Sequence, residues 1–75
     1  MMKEYDLVVL KVPVPEHGLE AGDIGTVVHV YRDGKAVEIE FARANGATVA
    51  VVTLDAAALR PFTGSEILHV RELAS

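Results

Sequence analysis

The chain has no cysteine and no tryptophan, and only two tyrosines and two phenylalanines in 75 residues. Without cysteine, neither a disulfide framework nor a thiolate zinc site can hold the fold. Positive charge is scarce as well: 7 Lys and Arg stand against 11 Asp and Glu, a net charge of −4. Binding to a polyanion draws its affinity from cation–phosphate contacts, so this balance argues against nucleic acid as a partner. No apolar run approaches the ~20 residues of a membrane-spanning helix. The opening residues MMKEYD carry no apolar stretch of the kind a secretory signal needs. These lacks together lead us to expect a cytoplasmic protein with no membrane partner.

What remains is a single small domain. Half of the chain is apolar (51%) and 24% is charged, a globular balance. Valine dominates the apolar set, and β-branched side chains favour strands over helices. A chain this short buries only ~60–65% of the surface its unfolded form exposes. The mean hydropathy of +0.30 is high for that size, so some apolar surface is expected to meet a partner. The charge is also uneven. Residues 1–42 hold eight acids and four bases, and residues 43–75 hold three of each.

Along the chain, DLVVLKV (6–12) reads as a strand ended by Pro13 and Pro15. EHGLEAGD (16–23) reads as a loop. IGTVVHVY (24–31) reads as a second strand, with Gly25 marking a bulge or a close backbone approach. Asp33-Gly34 and Asn45-Gly46 are hairpin signals, in which both central residues are expected at positive φ. Between them KAVEIEFA alternates Val37, Ile39 and Phe41 against Glu38 and Glu40, the pattern of a strand with one buried face. TVAVVTL (48–54) is a fourth strand. Asp55 before three alanines caps a single 3-10 turn, and LRPF (59–62) is a short strand limited by Pro61. The tail GSEILHVRELAS reads as a strand or extended arm rather than a helix.

This order predicts an all-β fold: a small SH3-like barrel of five to six antiparallel strands, with a 3-10 turn and a C-terminal arm. Residues 1–62 form the barrel, and residues 63–75 form the arm or an extra strand packing on the barrel or on a partner. The core is expected to include Val8 or Leu7, Val27 or Val28, Val37, Ile39, Phe41, Val51 and Leu59. Strands 1, 2 and 4 are apolar on both faces, yet one barrel has one interior. The second face therefore calls for a cover, from the arm or from a second copy in a twofold homodimer. Edge-to-edge strand pairing and packing of the arm are the two routes, and Ile67, Leu68 and Val70 favour the arm.

The residues that carry chemistry are few. His17 shares its loop with Glu16, Glu20 and Asp23, which reads as a solvated acidic loop. His29 lies mid-strand and His69 in the tail. Glu38 and Glu40 lie on one flat exposed face rather than across a cleft. Glycines 18, 22 and 25 are not followed by the Lys-Ser/Thr of a phosphate loop. No catalytic, metal-binding or cofactor-binding residue is expected, and no enzymatic activity. The interaction residues expected instead are Ile67, Leu68, Val70, Val28, Val30 and Tyr31. AGDIGTV resembles the Gly-containing turn of the KOW motif of ribosome- and transcription-associated proteins, which makes an RNA- or ribosome-associated small barrel the alternative. Its cations, Arg32, Lys35, Arg43 and Arg60, lie among many acids.

The blocks DLVVL, GLEAGDIGTVVHVYRDGKAVEIEF and ATVAVVTLDAAALRPF resemble a family of short bacterial proteins, domain of unknown function 4926, and EILHVREL is similar to the ends of some members. The resemblance spans residues 5–73. It implies an SH3-like barrel in a small free-standing protein, and no catalytic or binding residue. It also implies a protein–protein interaction role, such as an antitoxin-like partner of a neighbouring gene product.

Overall fold

Strands form where β-branched residues cluster, and chain reversals form where Gly, Asp and Asn interrupt them. The computed structural model describes residues 2–73. Its five strands are β1 (Leu7–Leu10), β2 (Ile24–Val30), β3 (Ala36–Ala42), β4 (Thr48–Asp55) and β5 (Leu59–Pro61). Two 3-10 turns complete the regular structure, Pro15–His17 and Ala56–Ala58. The protein is all-β, and all five strands lie antiparallel in one sheet of order β4-β3-β2-β1-β5. The sheet is open. β4 and β5 are its two edges, and among the described residues no ladder joins them into a closed barrel.

Both hairpins stand where Asp-Gly and Asn-Gly place them, but with different backbone chemistry from that expected. Only the glycines are left-handed, Gly34 at φ +73° and Gly46 at φ +92°. Asp33 and Asn45 keep ordinary φ and act through their side chains. Asp33 Oδ1 accepts the Lys35 N–H at 2.9 Å, and Asn45 Oδ1 accepts the Ala47 N–H at 3.0 Å. The N–H of Gly34 donates to Tyr31 O and that of Gly46 to Arg43 O, so each loop is an ordinary turn followed by one left-handed residue. Asp55 caps the second 3-10 turn as expected, its Oδ1 accepting the Ala57 N–H at 2.8 Å.

The core lies on one face of the curled sheet. Val8, Leu10, Val27, Val37, Ile39, Phe41 and Leu59 are buried in it. Val8, Leu10, Val27, Val37 and Ile39 are the most fully buried large side chains, each worth about 1.5–3 kcal/mol of burial. The expected alternatives thus resolve to Val8 and Val27. Leu7 is 50% exposed on the other face of β1. Val51 corrects the expected core. It pairs with Glu40, whereas Val52 pairs with Ile39, so it is the Ala50, Val52 and Leu54 face of β4 that turns inward. Val14 and Leu19 are core residues that the sequence reading placed in an end and a loop. The 3-10 turn folds them together through an isolated bridge and buries both.

The doubled apolar pattern of β2 has a geometric cause. The β2–β3 register shifts between Val27 and His29. This bulge at Val28 restarts the alternation, so Val27 and Val30 both turn toward the core while His29 stays outside. Gly25 faces inward beneath β3. A Cβ there would collide with Ile39 Cγ2 and lie 3.0 Å from Phe41 Cε1, which is the close approach expected of it.

Candidate functional site

Beyond Pro61 the chain leaves the sheet and crosses the molecule as an arm without regular secondary structure. Two ionic anchors hold it. At the first, Glu66 folds back on the end of β5. Its carboxylate accepts from Arg60 Nη1 at 2.7 Å and from the backbone N–H groups of Thr63 and Gly64. The Arg60 guanidinium, with the Thr63 N–H behind it, pulls the Glu66 carboxyl down to about 2.

The second anchor reaches back across 48 residues of sequence. Arg71 grips Asp23 with two parallel bonds, Nε to Oδ1 at 3.0 Å and Nη2 to Oδ2 at 2.7 Å. Nη2 also donates to the Gly18 carbonyl at 2.9 Å, and Nη1 lies 3.6 Å from Glu20 Oε2. Such a two-pronged geometry is the strong form of an Arg–carboxylate pair. Partial burial alone would raise the Asp23 carboxyl, but the bonds from Arg71 and from the Glu20 N–H outweigh it and the group is held below its ordinary value. Arg71 is raised in turn by its bond to Asp23.

Between the anchors the arm displays its side chains to solvent. Ile67 is 95% exposed, Leu68 67% and Val70 85%. Beneath this stretch runs an open groove of about 680 Å³, with Leu19, Ile24 and Phe41 on the sheet side and Leu68, Val70 and Leu73 on the arm side. The arm is tied to β5 through Glu66 and to the 18–23 loop through Arg71, and Leu73 is half-buried while the three aliphatics stay exposed. Residues 74 and 75 of the expected arm lie outside the described residues.

The expected interaction residues fall into two places. Ile67, Leu68 and Val70 share the arm. Val28 sits half-buried at the bulge, and Val30 packs against the core. Tyr31 lies at the β2–β3 turn, its ring edge-on to His29 at 4.6 Å. Ile24 at the groove and Tyr31 stand seven residues apart on or beside one strand, roughly 23 Å. None of Val28, Val30 and Tyr31 lines the groove beside the arm.

The titratable residues are dispersed. His17 lies in the first 3-10 turn, and His69 on the arm. His29 lies on β2, with Nδ1 4.0 Å from Glu4 Oε2. Asp23, the last acid of the 16–23 loop, is committed to Arg71. Among the described residues, no three of His, Asp and Glu converge to hold a metal ion. Glu38 and Glu40 lie on the outer face of β3, where Glu40 accepts from the Thr48 hydroxyl. Within AGDIGTV, Asp23 serves the arm and Gly25 serves packing against Ile39. The sequence reading missed the anchor residues Asp23, Arg60, Glu66 and Arg71. Opposite charges 48 residues apart carry no periodic signal, so only the fold reveals the pair.

A family model described as a domain of unknown function, DUF4926, matches residues 4–61, and the chain belongs to that family. The match takes in all five strands and stops at the end of β5, leaving the arm beyond it. No curated protein and no solved structure matches the chain.

Proposed function

We propose that this DUF4926 protein is a non-catalytic protein-interaction module whose contact surface is the C-terminal arm. One observation carries the reading: Ile67, Leu68 and Val70 are held 67–95% exposed between two ionic anchors. Exposed aliphatics on a loose tail make a poor binding site, because a partner must first order the tail. Here Glu66 and Arg71 fix the ends of the segment, so part of that ordering is already done. The charges that the fold brings together support a holding role, since Asp23 pairs with Arg71 and Glu66 with Arg60. The partner that fits is a polypeptide with an apolar groove, and a small protein encoded beside this one is the first to test.

The test is affinity capture of tagged protein from its own cells, beside a variant with Ile67, Leu68 and Val70 all changed to Ser. Both chains should show the same far-ultraviolet circular dichroism. A partner recovered with the parent and lost with the variant is the expected result. Recovery of the same proteins by both would refute the reading.

A further inference from the structure

We propose that the free edge of β4 pairs antiparallel with β4 of a second copy across a twofold axis, joining two five-stranded sheets into one. Of β4 only Val49 lines the groove beside the arm, and the pairing does not depend on the arm's role.

The two edges of the sheet are treated differently. β5 is three residues long, contains Pro61, which has no N–H to offer, and has Arg60 drawn across to Glu66. Short length, proline and charge are the ordinary defences of an edge. β4, the opposite edge, is eight residues long. Its register against β3 shifts at Val49, and the regular run beyond that bulge, Ala50 to Leu54, has no proline, no glycine and no charge. A regular uncharged edge of five residues, longer than the whole of β5, is a template for another strand.

The ladder defines which groups it offers. The Ala56 N–H donates to Lys35 O at 2.7 Å, which sets the alternation along β3 and β4. Val52 and Leu54 thereby exchange bonds with β3, and Val51 and Thr53 turn their N–H and C=O groups outward. The side chains of Val51 and Thr53 also lie on the outer face.

The occupant follows from charge. A chain of net charge −4 repels its own copies over most of its surface. Residues 44–54 form its longest stretch without a charged side chain, and β4 lies almost wholly within it. With Val51 opposite Val51 of the second copy, Ala50 faces Val52, and the ladder ends at the Val49 bulge. That register sets no charge against a like charge. Two such strands bury less than the ~1,600 Å² of a standard interface, so the dimer is weak and depends on concentration.

Sedimentation tests it directly. At about 100 µM the parent chain should sediment as a species of twice 8.0 kDa. Val51→Lys should return it to the monomer, with a Tm equal to the parent's at concentrations low enough for the parent to be monomeric too, because the side chain is 51% exposed and lies beside Glu40. The Ile67, Leu68 and Val70 triple serine variant should stay dimeric. The chain has no cysteine, so Val51→Cys gives a clean second readout. In the proposed register the two Cα atoms lie about 5.5 Å apart, within disulfide range. Oxidation should cross-link Val51→Cys at least about tenfold faster than Asp33→Cys at the exposed β2–β3 turn. A monomeric parent chain, a dimeric Val51→Lys chain, equal cross-linking rates, or a dimer lost only in the arm variant would each overturn the proposal.

Discussion

Gly25 shows how one side chain's absence shapes the sheet. A methyl on its Cα would meet Ile39 Cγ2 and lie 3.1 Å from Glu40 O, both on β3. Ile39 is fully buried and has nowhere to retreat. Gly25→Ala should therefore destabilise the protein by about 1–3 kcal/mol through overpacking, even though alanine suits a strand no worse than glycine. Urea denaturation measures it, and an unchanged midpoint would mean that β2 and β3 separate more easily than this packing allows. That Gly25 marks a bulge or a close approach was legible in the sequence, because a glycine inside a valine-rich strand needs a reason. Which atom it approaches was not, since the β2–β3 register decides that. Tyr5 was not legible at all. It adopts φ +73°, a conformation tyrosine disfavours, in the tight turn that joins Lys3 to Asp6.

At the level of elements, strands and turns were legible because their signals are local. Alternation in β3 and the Asp-Gly and Asn-Gly pairs each lie within a few residues. What escaped was every feature set by register or distance: the bulge at Val28 that redirects Val30, the choice of Val52 over Val51, and the anchors of the arm. The arm's anchors have a definite pH signature. The Glu66 carboxyl sits at about 2, below its ordinary 4.5, and Asp23 is also lowered. For a lowered carboxyl, the stabilising contribution is complete above the unfolded value and is lost as pH falls through the folded one. The Glu66 anchor should therefore release between about pH 4.5 and 2, and the Arg71 anchor as Asp23 takes up its proton below its ordinary range. Amide signals of residues 67–73 should move toward random-coil positions over that range, ahead of those of β3. Arg71→Ala should free the Arg71 end at pH 7 and leave the Glu66 end in place. An arm whose signals hold steady to pH 2 would mean that the Leu73 contact, not charge, keeps it down.

The whole molecule sets its charges apart in a way that bears on the remaining alternative, RNA. A basic patch needs several cations within one footprint. Arg32 and Lys35 stand at the β2–β3 turn beside Asp33, and Arg43 stands at the β3–β4 turn. The seven residues of β3 separate these ends by roughly 23 Å. Arg60 and Arg71 face Glu66 and Asp23, and the outer face between the two turns carries Glu38 and Glu40. A phosphate chain laid along that face would meet like charge at its centre. Fluorescence anisotropy with a labelled single-stranded RNA of about 20 nucleotides should show no saturable binding up to ~50 µM protein at ~150 mM salt. Saturable binding that weakens steeply between ~50 and ~200 mM salt would instead mean that the two turns act together on the backbone. Charge reversal gives the complementary arm of the test. Changing Glu38 and Glu40 to Lys links the two ends with a continuous basic strip, and that variant should bind the same RNA where the parent chain does not. Both residues lie on the outer face, away from the Val37, Ile39 and Phe41 side, so the sheet should survive the change.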